Sequence, residues 1–128
     1  MTPSTWVGIG AASAFIAVAC GAFGAHGLEK ILEPRMLEIW KTGAQYQMYH
    51  ALALIGFGLW AGMHAKGAAS NYLNNYPGWA FLFGTILFSG SLYALALTGI
   101  RILGAVTPFG GLAFLLGWIL FAFNALRA

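Results

Sequence analysis

The chain has 128 residues, of which 60% are hydrophobic, 16% aromatic and only 7% charged, with a mean hydropathy of +0.78; an ordinary soluble domain carries about 25% charged residues. Nine formal charges cannot cover the surface of a water-soluble globule of this length, so disordered, coiled-coil and soluble-enzyme classes drop out together and a lipid bilayer is the solvent that fits. The net charge of +3 comes from basic residues scattered as Lys30, Arg35, Lys41, Lys66, Arg101 and Arg127, with no patch or stripe, which excludes a nucleic-acid partner.

Four uncharged apolar stretches are each about as long as a helix needs to cross ~30 Å of hydrocarbon at ~1.5 Å per residue. The expected fold is therefore all-α: an integral membrane bundle of four transmembrane helices, one domain over residues 1–128. The first span is predicted over 5–25, with Ser13 as its one clearly polar interior residue. No Lys or Arg precedes Lys30, so this segment lacks the basic start of a cleaved signal. Cys20, the single cysteine, reads as a small apolar packing residue; Ala17-Val18-Ala19-Cys20 lacks the leucine and the basic start of a lipoprotein site.

The connector that follows holds Glu29, Lys30, Glu33, Arg35, Glu38 and Lys41, six of the nine formal charges, with His26 beside them. Pro34 is placed to start a helix that runs straight into the second span, 44–65, giving a helix longer than the membrane is thick. The next connector, 66–77, carries the turn-rich string Asn71-Tyr72-Leu73-Asn74-Asn75-Tyr76-Pro77. The third span is predicted over 78–98, and a short connector with Arg101 leads to the fourth, 108–126. There Thr107 offers an N-cap hydroxyl and Pro108 the preset dihedral of a first helical residue. Trp6, Tyr72, Tyr76 and Trp79 are expected at one interface and Trp40 at the other, as an aromatic belt.

Small residues recur at helix-packing spacing: Ala17, Gly21 and Ala25; Gly58 and Gly62; Gly90 and Ala94; Ala113 and Gly117. They are expected to form the seams of the bundle, with a homodimer face as the alternative for at least one stripe. An even number of spans puts both termini on one side. Lys30, Arg35, Lys41 and Arg101 stand on the side of the first and third connectors against Lys66 and Arg127 on the other, so the charged connector is expected in the cytoplasm and both termini outside.

On the second helix Glu38, Thr42, Gln45 and Tyr49 fall within roughly a 60° arc at ~100° per residue, with Tyr46 and His50 on one flank. His50 then lies ~9 Å deep and Tyr93 ~8 Å from the same membrane face, while His26 closes the first span there and Arg101 precedes the fourth. His26, Glu38, Gln45, Tyr46, Tyr49, His50, Tyr93 and Arg101 are therefore the candidate polar cluster. Two readings compete for it: hydrogen-bonded glue that fixes helix packing, or a site for a ligand, lipid headgroup or proton. Closely paired groups without an opening favour glue; a water-accessible cavity lined by His26, His50 and Tyr93 favours a site. His50 is expected within hydrogen-bonding reach of a Tyr or Gln, because an unpaired imidazole at that depth is costly.

No metal is assigned, since His26, His50 and Glu38 lack HxxxH or HExxH spacing. Ser89 and Ser91 have no acid-base partner on their own helix, and the glycines of Gly8-Ile9-Gly10 and Gly110-Gly111 are packing or helix-start residues, so no catalytic residue and no cofactor is assigned either.

Several stretches carry a family resemblance: Gly21-Ala22-Phe23-Gly24-Ala25-His26-Gly27-Leu28, Trp40 to His50, Gly84 to Tyr93, and Thr107-Pro108-Phe109-Gly110-Gly111 followed by Gly117-Trp118. Over nearly its whole length the chain resembles the small four-span membrane proteins of the domain-of-unknown-function 423 family, which also takes in the eukaryotic transmembrane protein 256. The resemblance implies the four-span fold and placement in the bacterial inner membrane, and it brings no established activity. The resulting expectation is a non-enzymatic structural or accessory component, with membrane lipids, a second copy or a larger membrane assembly as partners. The alternative is a small transporter, lipid-binding protein or membrane enzyme that uses the polar cluster.

Overall fold

A computed structural model describes residues 1–64 and 74–128. These form four α-helices: α1 (Pro3–His26), α2 (Pro34–His64), α3 (Tyr76–Thr98) and α4 (Leu103–Arg127), with a 3-10 turn at Leu28–Lys30 after α1. Lys66, Asn71, Tyr72 and the remainder of 65–73 lie outside the described residues.

The helix ends follow from local chemistry. Thr2 caps α1, its hydroxyl oxygen accepting from the Thr5 amide at 3.2 Å, and Pro3 occupies the first turn, where its missing N–H costs nothing. Pro34 is likewise the first residue of α2, which runs 31 residues, or about 46 Å. α3 stops at Gly99, whose φ of +71° is the left-handed conformation that a side chain resists, and whose amide closes the helix onto the Leu95 carbonyl at 2.8 Å.

That stop sets the start of α4 earlier than the sequence suggests. The amides of Leu103, Gly104 and Ala105 bond to the carbonyls of Ile100, Arg101 and Ile102, a tight turn that leads directly into helix. Pro108 therefore lies inside α4, and the Thr107 hydroxyl, instead of capping, faces the Leu103 carbonyl at 3.4 Å.

Among the described residues three helical segments, Pro3–Lys30, Tyr76–Thr98 and Leu103–Arg127, are long and apolar enough to cross a membrane by length and composition. The second helix does not join them, because Gln45, Tyr46, Gln47, Tyr49 and His50 dilute its apolar character. Large apolar side chains face outward along the helices, among them Phe15, Leu59, Phe83, Leu97 and Ile119, as expected where the solvent is hydrocarbon.

The main seams join α1 to α2, α2 to α3 and α3 to α4. A Cβ on Gly24 would meet Trp40, one on Gly10 the Ala51 carbonyl, and one on Gly58 the backbone of Pro3 and Val7, so α1 and α2 run antiparallel in register along their lengths. α3 returns alongside α2, with Tyr93 against Gly43, and α4 runs antiparallel to α3, with Gly110 pressed on the Phe88 backbone and Gly117 on Phe81. Of the small residues singled out above, Gly58 and Gly117 sit at such close approaches, whereas Gly21 and Gly90 face open space.

Trp6 and Trp40 correct the expected aromatic belt. Trp6 is 0% exposed, edge-on to Phe57 and Trp79, and its indole N–H donates to Asn75 Oδ1 at 2.9 Å. Trp40 is also buried, donating to the Cys20 carbonyl at 2.8 Å. Each indole is an interhelical pin: a large apolar body fills the seam and its one donor finds an oxygen from another segment.

Candidate functional site

The polar residues of α2 fall on two sides. Toward α1 and α3 stands Gln47, 5% exposed. Its Nε2 donates to the carbonyl and the hydroxyl of Ser13, both at 3.2 Å, and its Oε1 accepts from the Tyr93 hydroxyl at 2.7 Å. One amide thereby ties three helices. One turn away the Ser89 hydroxyl donates to the Gly43 carbonyl at 2.7 Å, and the Tyr93 ring packs on Trp40 with centroids 4.7 Å apart.

Toward α4 stands His50, 4% exposed and stacked flat on Phe114, with centroids 3.4 Å apart and planes 5° from parallel. Its Nδ1 lies 2.8 Å from the Tyr46 carbonyl, which can only accept, so Nδ1 carries the proton. Nε2 is then the acceptor for the Trp118 indole N–H at 3.1 Å. Both ring nitrogens are used. The Tyr46 ring packs on Phe88, and the Gln45 amide donates to the Tyr49 hydroxyl at 2.6 Å on the outer edge.

Between α2 and α4 an open groove of about 910 Å³ lies over this histidine. Its walls are Tyr46, Tyr49, His50 and Leu52 from α2, Phe88 from α3, and Pro108, Gly111, Leu112, Phe114, Leu115 and Trp118 from α4. The lining is almost wholly apolar, and the imidazole of His50 already uses both its ring nitrogens in hydrogen bonds.

The eight candidate residues thus separate. Tyr46, Tyr49 and His50 come together, and Gln45 joins through Tyr49. Tyr93 belongs to the other side of α2, bonded to Gln47. His26, Glu38 and Arg101 are exposed and do not line the groove. The partner of His50 is also corrected: its side-chain bond goes to Trp118 rather than to a Tyr or Gln side chain, and Tyr46 contributes only its carbonyl.

Gln47, Ser13 and Trp118 were missed as functional polar residues. Gln47 lies nearly opposite the Glu38–Tyr49 arc on the helical wheel. The available signal was Ser13, the lone polar residue inside an apolar span, which needs a partner.

Helices of this length and composition define an α-helical membrane protein. Residues 20–111 match the model of a family described as "Protein of unknown function (DUF423)". The chain is 46% identical to a UPF0382 membrane protein of Staphylococcus epidermidis over 93% of each chain. It is 45% identical to the UPF0382 membrane protein YwdK of Bacillus subtilis over 93% of this chain and 94% of that one. It is 44% identical to a UPF0382 membrane protein of Staphylococcus saprophyticus, with the same two coverages. The chain belongs to this family. No solved structure matches it.

Proposed function

We propose that this chain is a four-span component of the bacterial inner membrane with a structural or accessory, non-enzymatic role, in which the polar residues of α2 fasten helices together. The observation that carries the reading is that among the described residues no buried side-chain nitrogen or oxygen lacks a hydrogen-bond partner. A proton carrier or catalytic base needs a group free to meet its substrate, whereas Gln47 and His50 have their hydrogen-bonding capacity taken up by neighbouring helices and carbonyls. The antiparallel register of α2 on α1 supports α2 as the remaining span: its apolar second half lies along the start of α1, and the two buried polar side chains of its first half, Gln47 and His50, are paired with Ser13, Tyr93 and Trp118. The excess of Lys and Arg favours the charged connector on the cytoplasmic side.

Membrane-impermeant maleimide labelling tests the crossing. In a Cys20→Ser background, Glu38→Cys and Met63→Cys, at opposite ends of α2 and both exposed, should label from opposite faces, Glu38→Cys only from the cytoplasmic one. Labelling of both from one face would overturn the fourth span.

A further inference from the structure

On the α1 side of α2 glycines draw the helices together, whereas between α2 and α4 a groove stays open. Its position along α4 is informative. From Pro108 to Trp118 is ten residues, about 15 Å of helix, which equals one leaflet of a ~30 Å hydrocarbon core. It begins near the connector-side end of α4 and closes where His50, Phe114 and Trp118 lock together near the helix midpoint. A slot of that length, apolar over most of its wall and open to the side, has the shape of a single lipid tail.

Its upper end is polar and then basic. Tyr46 and Tyr49 stand at the rim, 37% and 49% exposed. Eleven residues before Tyr46, Arg35 lies on the same face of α2 to within ~20°, about 16 Å higher. Arg101, also exposed, precedes the first residue of α4 at the same end. Two exposed arginines therefore stand at the connector-side end, one at the start of each helix that walls the slot. Guanidinium pairs with phosphate in a bidentate fashion, and each basic residue near a membrane surface favours anionic over neutral lipid.

We propose that this groove is a binding site for one anionic phospholipid of the connector-side leaflet, with an acyl chain between α2 and α4 and the headgroup phosphate between Arg35 and Arg101. It rests on the membrane crossing of α2 proposed above, which the labelling experiment tests separately. The tail leaves the imidazole of His50 undisturbed, because both its ring nitrogens are already bonded within the protein. The tyrosine hydroxyls at the rim are placed to meet the ester carbonyls of the glycerol backbone.

The test is native mass spectrometry of the full chain released from vesicles of dioleoyl phosphatidylglycerol and dioleoyl phosphatidylethanolamine in equal amounts. The parent should retain one phosphatidylglycerol in preference to phosphatidylethanolamine. Arg35→Gln and Arg101→Gln should each reduce that preference roughly fivefold. Gly111→Phe should abolish retention of both lipids, since a Cβ there meets nothing nearer than Phe88 at 3.9 Å and the ring enters the slot. Leu112→Trp, on the exposed wall, blocks the same space and decides the matter if Gly111→Phe folds poorly. Equal retention of the two lipids by the parent, or adducts that persist in both blocked variants, would overturn the proposal. So would Leu112→Cys pairs that cross-link two copies quantitatively in lipid vesicles, because the groove would then be filled by a second chain.

Discussion

The two sides of α2 treat polar side chains at similar depth in opposite ways. Toward α1 and α3, Gln47 is enclosed: Gly10 and Gly58 bring the backbones of α1 and α2 together, Gly43 admits the Tyr93 ring, and every polar atom of the amide is bonded. Toward α4, His50 is equally paired, yet Phe88, Phe114 and Trp118 hold the helices apart and a groove remains above it. Polar pairing and helix closeness are thus separate variables. Hydrogen bonds satisfy the groups on both sides; glycine or aromatic residues decide whether the seam shuts.

The comparison can be broken first at its glycines. Gly10→Ala should drive a methyl to 2.7 Å from the Ala51 carbonyl oxygen, forcing α1 off α2, and lower stability by up to about 3 kcal/mol. Gly111→Ala, whose Cβ has only ordinary contacts at 3.9 Å, should melt within about 0.5 kcal/mol of the parent. Thermal unfolding in detergent distinguishes them, and equal melting would mean that the two seams are not different.

A smaller effect is expected from His50→Ala. It removes the flat stack on Phe114 and leaves the Trp118 indole without its acceptor, which should cost about 2 kcal/mol. If the variant keeps its melting temperature but loses the ability to complement a deletion strain, His50 serves a site rather than packing. Smaller still is Trp118→Phe, which deletes one interhelical hydrogen bond and should cost about 0.6 kcal/mol; a loss several times larger would show that the indole, not the imidazole, holds the groove's closed end.

Much of this architecture is legible in the sequence, and the failures have physical causes. Pro34 as the first residue of α2 follows from its fixed φ and missing donor. The same reasoning misplaces the start of α4, because Thr107-Pro108 imitates a cap and first turn, while the deciding feature is the left-handed Gly99 upstream. Trp6 and Trp40 read as interface residues since an amphipathic indole suits either a headgroup layer or a buried acceptor, and only the glycine spaces at Gly78 and Gly24 distinguish the two. In the candidate cluster, Tyr46 and His50 meet because they stand one turn apart on α2. Azimuth came from the most polar arc, which on a membrane helix is its exposed edge: Glu38 and Gln45 lie there, and Gln47, the residue that ties three helices, lies opposite.

That role of Gln47 bears the most weight, and a double-mutant cycle on Gln47→Leu and Tyr93→Phe measures it directly. If the hydrogen bond at 2.7 Å fastens α2 to α3 within the membrane, unfolding of the parent, the two single variants and the double variant should yield a coupling energy of about 0.6–1.7 kcal/mol. A coupling indistinguishable from zero would contradict the claim that the polar residues of α2 hold the helices together.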